Sequence, residues 1–362
     1  MLYTKKENCK TERRVFVGNG KDETYNMAQR KGKYTIITEN KPVLAGWAAV
    51  AGKKEAEGPL KDSFDKIFYD TMAGEDTWEK AESKLQKEAV SLALEKAKVK
   101  AEEIDAIFAG DLLNQCISSS FGLRNFNIPF LGQYGACSTM AQTLLLSALF
   151  VDTGIAHRCA AVTSSHFCSA ERQFRFPLEY GGQRTPTAQW TVTGAGCAIV
   201  ANQGQGPHIE AVTIGKIVDL GIKDANNMGA AMAPAATEVI HNYLTDTQKK
   251  PSDFDLIITG DLGTVGSKLL CTLLSEEYHM DIRSRHTDCG VLIYDTKEQD
   301  VHAGGSGCGC SGSVLCSYIL NNMQKQNAHD ILFIATGALM SPTSSQQGET
   351  IPGIAHLIHI QA

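Results

Sequence analysis

Cys137 stands in the run Gly135-Ala136-Cys137-Ser138-Thr139, directly ahead of an apolar stretch that the sequence predicts to be a helix over 138–152. Ser and Thr are the residue types that cap helices, so the thiol is expected at a helix N-terminus. There the helix dipole and free backbone N–H groups favour a thiolate, which makes Cys137 a candidate nucleophile with a lowered pKa. The plainer alternative is a small buried residue, since free cysteine is among the most buried types. Asp111 and Asp261 each close a Gly-Asp pair and read either as acids or as turn and cap residues. Cys308 and Cys310 form a C-x-C pair without the second ligand pair of a zinc site, and no acidic run of EF-hand type occurs. No metal and no cofactor are therefore expected.

The elements that must position these residues occur twice. IDAIFAGDL (104–112) and FDLIITGDL (254–262) each put an acidic residue and a short apolar run before Gly-Asp, the pattern of a buried strand emerging into a functional loop. A helical segment precedes each, 78–103 and 234–250. Downstream of Cys137 follow the apolar helix and a strand, RCAAVTSS (158–165). Downstream of the Gly/Ser-rich loop GGSGCGCSGS (304–313) follow a helix, 314–323, and a strand, 330–338. The second copy is longer by about 22 residues, placed within 275–300. Strand-rich sequence closes each half at 190–202, 208–220 and 351–360. Two α/β halves from one duplicated unit follow, with boundaries at 1–34 for an N-terminal extension, 35–205 for the first half and 206–362 for the second.

A duplicated α/β unit with a cysteine opening a buried helix in its first half resembles the thiolase fold, a layered α-β-α-β-α body. Within that superfamily the strings AERQFRFPLEYGGQ (170–183), MGAAMAPAA (228–236), HTDCG (286–290), VHAGGSGC (301–308) and ATGALMSPT (335–343) are similar to the stage V sporulation protein AD family. The similarity runs from about Lys41 to the C-terminus. It implies binding of dipicolinic acid (pyridine-2,6-dicarboxylate) or its calcium chelate, uptake of that ligand into developing spores and its release at germination. It also implies membrane partners of the stage V sporulation A group, a peripheral place at the spore inner membrane, and a homodimer.

The same resemblance locates what an enzyme of this fold needs beside its thiol. The positions of the histidines and the second cysteine fall on Asp261, Ser306 and Ala335 or Thr336, and a hydroxyl cannot shuttle protons at neutral pH as an imidazole does. His302, four residues ahead of Ser306, is the remaining base for a Cys137 dyad. The expectation is a non-catalytic, degenerate site. The alternative is a thiolase-like or ketoacyl-synthase-like acyltransferase using Cys137. A small dianion needs a concave pocket and matched donors, which the helix starts at Ser138 and Ser311 supply. Arg172, Arg175 and Arg184 are candidate carboxylate forks, or else surface ion pairs. The candidate ligand-binding set is Cys137, Ser138, His166, Arg172, Arg175, Asp261, His302 and Ser306.

Composition narrows the class further. The chain has 362 residues, 43% hydrophobic and 20% charged, with a net charge of −6 and no basic block, which gives no footprint for nucleic acid. Eleven scattered cysteines without a signal-peptide core read as reduced, mostly buried thiols of an intracellular protein. No stretch of about 18 apolar residues suggests a membrane span.

Overall fold

Strands whose residues are apolar on both faces are buried from both sides, and the repeat copies provide such strands. The computed structural model describes residues 12–17, 21–26, 28–174 and 184–362; Arg175 lies outside them. The first half contributes β1 (Val43–Gly52), β2 (Ala106–Gly110), β3 (Phe130–Gly132), β4 (Arg158–Ser165) and β5 (Gly194–Ala201). The second contributes β6 (His208–Thr213), β7 (Leu256–Thr259), β8 (His286–Asp288), β9 (Asp330–Ala338) and β10 (Gly353–Gln361). Every residue of β2 and β5 is buried.

These strands lie in the order β8-β7-β9-β10-β6-β1-β5-β4-β2-β3. Read outward from the junction, each half runs first strand, last strand, fourth, second, third. Pairing repeats as well: β2 is parallel to β3 and β4, as β7 is to β8 and β9, and the inner pairs are antiparallel. Within this order the halves meet at one pairing, His208 with Val43, and a separate parallel pairing joins Trp190–Thr191 to Gly305–Ser306. The duplication read from the sequence is thus present in strand order and in direction. The interval from the start of β2 to the start of β4 is shorter than that from β7 to β9; the smaller part of the excess falls before β8, around the longer helix Gly263–Tyr278, and the larger part between β8 and β9.

Helices fill the layers between and outside these sheets. Helix α1 (Trp78–Ala97) covers the first half; α4 (Met228–Thr247) and α5 (Gly263–Tyr278) cover the second. Helix α2 (Thr139–Asp152) touches strands of both halves and is buried nearly all round, through Met140, Ala141, Leu144, Leu145, Ala148 and Val151. Each such large apolar side chain contributes about 1.5–3 kcal/mol. Helix α3 (Phe167–Phe174) follows β4.

The Gly/Ser-rich run differs from its expectation as a loop. Residues 308–314 form helix α6 (Cys308–Val314), so the helix starts six residues before the predicted 314. The glycines permit contact with the first half-sheet: a Cβ on Gly309 would lie 2.5 Å from the Gly194 carbonyl oxygen, and one on Gly312 2.6 Å from Thr163 Oγ1. Composition that reads as loop is here the close-packed face of a helix. Residues 29–34, placed with the extension on sequence grounds, join the second half. Gln29–Lys31 pairs with Thr35–Ile37, which pairs with β6, and Asp246 of α4 accepts the backbone N–H groups of Lys33, Tyr34 and Thr35.

Candidate ligand cavity around Cys137

Ahead of α2 the chain turns through Ala136, held at φ 49°, and presents Cys137 at 5% exposure. Ser138 and Thr139 do not cap the helix. Ser138 Oγ donates to the Gly135 carbonyl at 2.7 Å and Thr139 Oγ1 to that of Ala136 at 2.6 Å, so both hydroxyls lock the turn before the helix. The lowered pKa expected for Cys137 is also overturned. Burial, the neighbouring Asp261 carboxyl and the Cys308 thiol push the Cys137 thiol well above its ordinary value. A low-dielectric site beside an acid disfavours the thiolate.

Asp261 is wholly buried at the end of β7's Gly-Asp pair. Its Oδ2 accepts the Gly307 N–H at 2.9 Å and faces Ser306 Oγ at 3.4 Å; its Oδ1 accepts Thr336 Oγ1 at 2.9 Å; the Cys137 side chain completes its shell. Burial pushes its pKa up to about 7, despite those hydrogen bonds. Cys137, Ser306 and Thr336 therefore gather around one carboxyl. Thr336, rather than Ala335, makes this contact.

Cys137 and Ser306 line a cavity of about 40 Å³ together with Leu112, Tyr134, Phe174, Glu171, Thr191, Met228 and Met340 among others. Among the described residues its lining contains no Lys, Arg or His. The other candidates lie elsewhere. His166 Nε2 bonds the Thr71 carbonyl at 2.8 Å while Nδ1 accepts the Cys168 N–H at 3.2 Å, a neutral tautomer whose pKa burial lowers. Arg172 is exposed, paired with Glu79 and set over the Trp78 ring. Arg184 binds Asp300 and stacks on Trp190. His302 pairs with Asp300 at 3.3 Å and is not part of the lining, so no Cys137–His302 dyad forms.

A second buried acid group, which the sequence reading passed over, backs the cavity on the first-half side. Glu82 of α1 accepts Ser164 Oγ at 3.1 Å and meets Ser169 Oγ at 2.6 Å. Burial, then the charge of Asp111, pushes the Glu82 pKa up to about 8. Asp111 accepts the Leu113 N–H and the Ser119 N–H and hydroxyl. Cys308 lies between the two acid groups, its thiol donating to the Ser164 carbonyl at 3.0 Å. Glu82 and Gln86 share the apolar spacing of Leu85 and Ala89, and two polar residues at core positions were the available signal. Among the described residues, no three His, Cys, Asp or Glu side chains are placed to hold a metal ion. No helix among them is long and apolar enough to cross a membrane.

The fold is shared with known proteins. The 3-oxoacyl-[acyl-carrier-protein] synthase III of Aquifex aeolicus VF5 superposes with a TM-score of 0.54 at 12% identity, over 89% of this chain and 100% of that one. OleA of Xanthomonas campestris superposes at 0.59 with 12% identity, over 90% and 98%. At that identity the likeness shows the thiolase-like fold alone. Sequence gives more: stage V sporulation protein AD of Bacillus subtilis (strain 168) is 44% identical over 325 residues, covering 90% of this chain and 96% of that protein. The family model for stage V sporulation protein AD matches residues 32–361, and the chain belongs to that family.

Proposed function

We propose that this sporulation protein is a non-catalytic binding protein for dipicolinic acid or its calcium chelate, acting in uptake into developing spores and release at germination. In this reading it works as a homodimer at the spore inner membrane, with membrane proteins of the stage V sporulation A group as partners. Membership of a sporulation protein family supports the setting, and the ligand is proposed with it. The single observation that carries the non-catalytic half is the company of Cys137: its thiol sits buried against the carboxyl of Asp261, in a cavity whose described lining holds no His. A cysteine attacks as its thiolate, which burial disfavours here, and among the described residues no imidazole lines the cavity to take its proton.

The cavity as it stands is smaller than the ~150 Å³ that holds benzene in an apolar protein cavity, so a pyridine dicarboxylate requires it to widen. Met228 and Met340, flexible unbranched side chains, are suited to that movement. Isothermal calorimetry with sodium dipicolinate checks the proposal, with Cys137→Trp expected to fill the cavity and abolish the heat. No heat from folded wild-type protein refutes it. Rapid alkylation of Cys137 by iodoacetamide near neutral pH, or an acyl adduct after acetyl-CoA, favours the acyltransferase instead.

A further inference from the structure

We propose that the cavity takes up its acidic ligand together with one proton, held on the carboxyl group of Asp261. This rests on the reading above that the cavity binds a carboxylate, and adds how its charge is balanced. Two side chains that line the cavity, Cys137 and Ser306, also touch the Asp261 carboxyl behind them. Among the described residues no cation lines the cavity. A carboxylate resting on Ser306 therefore adds an anion about two hydrogen-bond lengths, roughly 6 Å, from Asp261.

Among the described residues the groups that face Asp261 include no cation, and a proton is the counter-charge they leave. They are the Cys137 thiol ahead of α2, Ser306 and the Gly307 N–H ahead of α6, Thr336 of β9 and Asp288 at the end of β8. The thiols of Cys289, Cys308 and Cys310 lie beyond, each pushed well above its ordinary pKa by burial. Asp288 is a second acid, so it adds to the repulsion. A unit charge about 6 Å away at an effective dielectric near 20 raises an acid by about two pH units. Starting from about 7, Asp261 then holds its proton in the complex through neutral pH.

The linkage is numerical. With the carboxyl titrating near 7 when free and near 9 when bound, binding takes up about half a proton at pH 7, and affinity falls about nine-fold from pH 6 to pH 8. The ligand's own carboxylates are ionised throughout that range. Calorimetry with dipicolinate in buffers of differing ionisation enthalpy measures the uptake directly, and pyridine-2,6-dicarboxamide serves as the uncharged control. Uptake near half a proton for the wild type at pH 7, none for the Asp261→Asn variant, and a pH dependence reduced below two-fold in that variant are the expected results. Equal affinity at pH 6 and 8 without uptake, or undiminished uptake by Asp261→Asn, overturns the inference while leaving the binding function intact. An absence of binding at every pH overturns the binding function itself.

Discussion

Glu82 offers the sharpest test of the buried acid chemistry. Its Oε2 lies 2.6 Å from Ser169 Oγ, and that hydroxyl has its own acceptor, the His166 carbonyl at 3.0 Å. A protonated Glu82 donates to Ser169, which donates onward, while Ser164 donates to Oε1 and accepts from Gln86 Nε2 at 3.2 Å. The network is thus complete with the proton present. Below pH 4.5 Glu82 is protonated in the folded and unfolded chain alike, so it carries no pH-dependent term. Above that, the unfolded chain releases the proton at the ordinary value while the folded chain holds it up to about 8. Stability therefore falls as pH rises, by up to about 1.4 kcal/mol per unit. The penalty is about 3 kcal/mol at pH 7 and levels off on the order of 5 kcal/mol above pH 8. Glu82→Gln supplies the N–H to Ser169 and the acceptor for Ser164 without a titrating proton. Urea unfolding at pH 5, 6, 7 and 8 should show the variant gaining on the wild type by roughly those amounts as pH rises. A gap that stays constant with pH, or a variant uniformly less stable, refutes the assignment of a proton to this site.

Two further outcomes follow from packing. Gly337→Ala would place a Cβ 2.3 Å from the Gly135 carbonyl oxygen, with the Ser138 and Cys137 nitrogens 3.1 and 3.3 Å away; these are backbone atoms. The substitution should lower unfolding free energy by about 3 kcal/mol and weaken dipicolinate binding, and a loss below about 0.5 kcal/mol would show that β9 does not press on this turn. Strand β3 ends the sheet, and Phe121, Phe130, Leu131 and Tyr134 are exposed around it. Leu131→Lys should convert a dimer of about twice 39.1 kDa to a monomer by light scattering, and a monomeric wild type removes the homodimer from the proposal.

The repeat was legible because buried strands and Gly-Asp ends are local patterns, and Cys137 because its turn precedes a long apolar helix. Charge state was not legible. The sequence places Cys137 at a helix end, which lowers a thiol's pKa in water-exposed settings, whereas burial, and then Asp261 from the other half of the chain, reverse the sign. Glu82 looked like one more charge on an amphipathic helix; its burial depends on β4 and α3 lying across it, through Ser164 and Ser169. Arg172 and His302 looked like ligand groups because residue type carries no direction, and each is turned to a surface acid.

The two Gly-Asp ends differ in what their carboxyl groups hold, and the difference places Asp261 behind the cavity wall. Asp111 spends its oxygens on its own turn, accepting N–H groups from Leu113 and Ser119. In the second half the equivalent duty falls to Asp288, which accepts the N–H groups of Leu262 and Gly263 at 2.9 Å each, the two residues after Asp261. Relieved of that turn, Asp261 is free to bond Gly307 and Thr336 of its own half and Cys137 of the other. The exchange carries a cost, since Asp288 is itself buried and its charge raises Asp261 further. That combination yields a carboxyl poised near neutrality behind the cavity wall. An Asp288→Asn substitution should therefore lower the pH at which Asp261 titrates, shifting the proton-linked fall in ligand affinity to lower pH. A fall that stays in place would show that Asp261 is tuned by burial alone.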